Sequence, residues 1–111
     1  MRVHVVVLML LLPAAPSLAQ EASPHGPMSG FHGAMEAMQH GMAGIPATGD
    51  PDVDFARMMI PHHQGAIEMA RAQLAEGKDP ELRRLADEII AAQEREIAFL
   101  EQWLAAQGME P

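Results

Sequence analysis

The pairs Asp50-Pro51 and Asp79-Pro80 constrain this chain more than any other feature, because each writes a helix start in two residues. Aspartate accepts from the free amides of a first turn, and proline at the first helical position forfeits no bond while its ring presets φ. The first start is reinforced by Asp52 and Asp54, anions at the positive end of the helix dipole, and Gly77 supplies its stop. The second opens a helix that runs to Gly108. Only Glu76-Gly77-Lys78-Asp79 lies between them, which predicts an antiparallel helical hairpin over residues 50–108. No strand alternation and no long repeat competes, so the chain reads as all-α.

A weaker helix is predicted upstream, in the segment of residues 20–49. Glycines at 26, 30, 33, 41, 44 and 49 loosen that segment, yet Ser29 is a candidate cap for a short helix from Phe31 to about Met42. A hairpin alone leaves one side of its core open, so a third or fourth helix is required, from this segment or from a second copy. Homo-oligomerisation is therefore an expectation.

Residues 1–19 have the layout of a cleaved secretory signal: Arg2, an apolar run from Val3 to Leu12, then Ser17-Leu18-Ala19 before Gln20. The run is shorter than the roughly 20 apolar residues that span a bilayer. A periplasmic or secreted protein without a membrane anchor is expected. Cleavage removes one positive charge and no acid, moving the formal charge from -8 to -9. Such an acidic chain, with few and scattered Lys and Arg, is not expected to bind nucleic acid. It has no cysteine, so disulfides give it no support.

The densest chemistry lies in Met58-Met59-Ile60-Pro61-His62-His63 and the following turns. At about 100 degrees per residue, Met58, His62 and Met69 stand in one file, and Met59 and His63 pair one row over. This half of the helix, opposite Arg57, Gln64, Glu68 and Arg71, is expected to face the core with both histidines pointing inward. Pro61 frees the Arg57 carbonyl and is expected to kink the helix beside His62. In the upstream helix Phe31, Met35, Met38 and Met42 share a face, His32, Glu36 and His40 the adjoining stripe, with His25 and Met28 just before them.

A single methionine in a small core is most simply a gap filler. Here eight of the ten methionines and five of the six histidines follow Ala19, in stripes on two helices, and that pattern points to a metal. Thioether sulfur favours Cu(I) and imidazole accepts copper in either state, so the mixed set selects copper. The third helix adds Gln93 and Glu96 within an apolar arc that includes Leu100 and Trp103. A carboxylate on such a stripe needs a partner. It either meets an imidazole of the second helix, fixing its tautomer or itself ligating the metal, or lies at the edge of the arc in water.

Other chemistries lack their residues. No Glu-x-x-His occurs, since Ser29, Ala37, Met59 and Ile60 stand three before His32, His40, His62 and His63; a di-iron carboxylate site needs that pair. His-Glu-x-x-His is absent as well, and nucleophilic catalysis has no visible candidate. No enzyme activity is expected. Residues 49–104 resemble the small secreted helical proteins known as domain of unknown function 305. The resemblance is carried by Asp54-Phe55-Ala56-Arg57 and Met58 through Ala70, then by Ile90 through Ile97 and Trp103-Leu104. It implies a ferritin-like bundle and a role in copper binding or tolerance, with Met58, His62, His63 and Met69 at the matched positions. Leu100 departs from it, standing where many relatives have methionine. Sequestration or carriage of copper is thus the expected function; a metal-independent helical module with a Met-rich binding face is the alternative.

Overall fold

The computed structural model describes residues 29–111. The secretory signal, His25 and Met28 lie outside the described residues. Three helices are present, α1 (Ser29–Ala43), α2 (Pro51–Glu76) and α3 (Pro80–Ala106), with no strand among the described residues. Ser29, the expected cap, is already helical, and α1 takes in the whole of the expected stretch from Phe31 to Met42.

Both Asp-Pro starts operate as caps. Asp50 Oδ1 accepts from the amides of Asp52 at 3.0 Å and Val53 at 3.5 Å. Asp79 Oδ1 accepts from Glu81 at 3.0 Å and Leu82 at 2.9 Å. Each cap is worth about 1 kcal/mol. Thr48 braces the first start by donating its amide and hydroxyl to Asp54 Oδ1, at 2.8 and 2.7 Å. These bonds, the hydroxyl foremost, hold the Asp54 carboxyl below its usual range. A carboxyl depressed by folding stabilises above its unfolded pKa, and that contribution is lost as pH falls through the folded value.

The helix ends differ. α3 closes on Gly108 at φ 70, with the Gly108 amide donating to Ala105 and the Met109 amide to Leu104. That is the paired closure for which a left-handed glycine is best suited. α2 instead ends on Gly77 in extended backbone, its amide donating to the Gln73 carbonyl at 2.8 Å. No basic residue occupies the last turn of α2, but Arg83 of α3 reaches across and donates Nη1 to the carbonyls of Leu74 at 2.5 Å and Gly77 at 3.0 Å. The cation that suits a helix C-terminus is therefore lent by the next helix.

Val53, Ala56 and Ile60 of α2 bury themselves against Leu100 and Leu104 of α3, and Met59, Ile97 and Trp103 pack on this cluster. Leu104 is completely buried. α1 is held on the other side of α2 by close backbone approach: a Cβ built at Gly65 would lie 2.6 Å from Met38 Cβ, and one at Gly41 3.0 Å from Pro61 Cβ. Pro61 thus lies in the seam under α1, and α2 continues as α-helix through it. α1 and α3 both pack on α2, with no Cα pair between them within 8 Å. The domain is a layer of three helices with α2 in the middle.

Candidate metal centre

Being the middle helix, α2 has two buried stripes rather than one. Ala56, Ile60, Ile67 and Ala70 face α3; Gly65 and Ala72 face α1. The file of Met58, His62 and Met69 runs between these stripes, along a strip that the neighbours cover only in part, with Phe31 of α1 and Leu82 and Leu85 of α3 bordering Met69. Met58 is 39 % and Met69 37 % exposed, and His62 is exposed too. The expectation that both histidines point inward holds for His63 alone.

His63 lies one row over, its side chain 12 % exposed. Its Nε2 stands 2.5 Å from Glu96 Oε2 of α3, so the imidazole expected to meet Glu96 is that of His63. A carboxylate accepts, which places a proton on Nε2, and in a neutral ring the lone pair then lies on Nδ1. Nδ1 is buried and has no hydrogen-bond partner. Such an orphan costs about 1–3 kcal/mol unless some group meets it. Glu96 itself is 58 % exposed, so the pair bridges core and solvent. Gln93 is half-buried one turn before it. The His62 and His63 rings have centroids 5.9 Å apart and are tilted by 56°.

The remaining candidates divide by employment. Met59 packs on the core cluster, and Met38 fills the space over Gly65, so both have packing roles. Met35, His32 and His40 are exposed and Met42 is half-buried. By helical periodicity Met35 and Met42 share the side of α1 that carries Phe31. Phe31 in turn borders a groove of about 270 Å³ with Met69, Gln73, Leu82 and Leu85. Among the described residues no three His, Asp or Glu side chains converge as a metal set.

The family pattern described as Domain of unknown function (DUF305) matches residues 12–104. The chain belongs to the DUF305 family. The match begins well upstream of Gly49 and takes in α1 as well as the hairpin. No curated protein matches this DUF305 chain. Leu100, where the resemblance expects methionine, is a core residue of this DUF305 domain beside Val53 and Leu104, so the departure alters packing between α2 and α3 rather than the exposed file. Sequence reasoning also missed Phe99, which is 66 % exposed one turn before Trp103. Its signal was available in the spacing of four residues.

Proposed function

We propose that this DUF305 chain binds copper and sequesters or carries it outside the cytosol. Cu(I) is held by His62 with the thioether of Met58 one turn before it, and Cu(II) by His62 and His63. Met69, about 16 Å from Met58 along the helix at 1.5 Å per residue, offers a separate thioether on the same strip. The single observation that carries the reading is the unpartnered Nδ1 of His63 behind a ring whose Nε2 meets Glu96. Metal-ligating histidines commonly give their second ring nitrogen to a carboxylate, which fixes the tautomer and raises ligand basicity. The donor set supports copper over zinc, because exposed thioethers flank the imidazoles, and His62, His63 and Glu96 do not converge as a three-ligand group among the described residues. His32, Met35, His40 and Met42 of α1, with His25 and Met28, form a looser secondary set. Three helices layered in this way fit a ferritin-like bundle that lacks one wall. The leader-like sequence of residues 1–19 supports a periplasmic or extracellular location, and no helix among the described residues is long and apolar enough to cross a membrane.

The substitution Glu96→Gln tests the role of the carboxylate. Glu96 is largely exposed, so folding is retained, while Cu(II) affinity falls by about 10–100-fold as expected when a carboxylate behind a ligating histidine is lost. Isothermal titration with a competing chelator reads the change; an affinity equal to the parent's removes Glu96 and the His63 ring from the site.

A further inference from the structure

The strip that exposes Met58, His62 and Met69 is the centre of a larger apolar face. Phe55, Met58 and Met69 of α2 and Leu82, Leu85 and Phe99 of α3 are each between 37 % and 66 % exposed. Large side chains present about 150–250 Å² each, so these six leave roughly 600 Å² of apolar surface open before their half-buried neighbours are counted. A standard protein–protein interface covers about 800 Å² on each partner. The face thus has the size of one half of an interface, and exceeds the scattered single apolar residues of an ordinary surface.

Charge identifies the partner. The chain carries a formal charge of -8, so two copies repel unless they meet where neither bears that charge. Along α2 the strip reads Phe55, Met58, His62, Ala66, Met69 and Gln73, without one Asp, Glu, Lys or Arg, and on the α3 side the exposed Glu96 is held against the His63 ring. We propose that a second copy of this chain docks on this face, and that the two copies share Met58 and His62 as one metal site. Docking of identical chains through one patch is isologous, so groups near the two-fold axis meet their own counterparts. α2 is the central helix, and its strip therefore lies within the covered area. Burying two exposed imidazoles without partners is costly; an ion between them, completed by thioethers from both copies, removes that cost. The shared site rests on the copper reading, whereas the docking does not.

Sedimentation equilibrium of the whole chain, in the form that cells accumulate, tests the proposal together with the double variant Leu85→Glu/Phe99→Glu. Both positions are exposed in the single copy, so the variant keeps the parent's helical circular dichroism. The native protein should have twice the monomer mass and the variant the monomer mass. Cu(I) affinity should fall by about tenfold or more in the monomeric variant. A native monomer, whether the face is covered by the chain's own N-terminal residues or left bare, overturns the docking. A dimer that survives both glutamates assigns it to another face and also overturns it. Equal Cu(I) affinity in dimer and monomer overturns the shared site. A native dimer that binds no Cu(I) contradicts the copper reading and the shared site with it, while upholding the docking.

Discussion

Replacing Met58 and Met69 together with leucine weakens Cu(I) binding by roughly tenfold or more, about 1.4 kcal/mol per decade, and leaves Cu(II) binding in place. Both side chains lie on the partly covered strip, 39 % and 37 % exposed, so the swaps disturb little packing. Volume-conserving exchanges of this kind cost under about 1.5 kcal/mol even in cores. What they delete is sulfur, the donor that distinguishes Cu(I) from harder ions. The complementary pair, His62→Gln with His63→Gln, should weaken Cu(II) more than Cu(I), because imidazole is then the missing donor. Competition titrations of both variants in both oxidation states give the two-way comparison. Parallel losses in all four would show that the substitutions act through folding rather than through ligation.

Replacing Leu104 with alanine should unfold much of the population near physiological temperature. Leu104 is fully buried, and among the described residues it closes the cluster of Val53, Ala56, Ile60 and Leu100 that joins α2 to α3, with Met59, Ile97 and Trp103 packed on it. Leucine-to-alanine changes in cores cost about 2–5 kcal/mol, against a total stability of about 5–15 kcal/mol for a native domain. Thermal denaturation followed by circular dichroism checks this. A melting temperature equal to the parent's would mean that the α2–α3 seam is not what holds the domain together.

The helices were legible because their punctuation is local: Asp50, Pro51, Asp79 and Pro80 act on their own first turns, and Gly108 closes its own helix. The meeting of Glu96 with an imidazole was legible for a similar reason, since a carboxylate on an apolar stripe demands a partner. The facing of α2 was not. A helical wheel marks apolar residues, but it cannot say that α1 settles on Gly65 and Ala72, because that contact is made by small residues that leave no hydrophobic signal. With α1 on one flank and α3 on the other, the methionines that read as core became the partly covered strip between them. Arg83 escaped for want of range: its partners, the Leu74 and Gly77 carbonyls, belong to the preceding helix and its connection.

The measurement that bears most directly on the account is a titration of the intact protein with Cu(I) against a chromophoric Cu(I) chelator. The protein should withdraw copper from the chelator, and Met58→Leu/Met69→Leu should withdraw markedly less. A parent protein that leaves the chelator's spectrum unchanged, or a double variant that competes as well as the parent, would make the Met58, His62 and Met69 file a partly covered packing surface and contradict the copper reading at its centre.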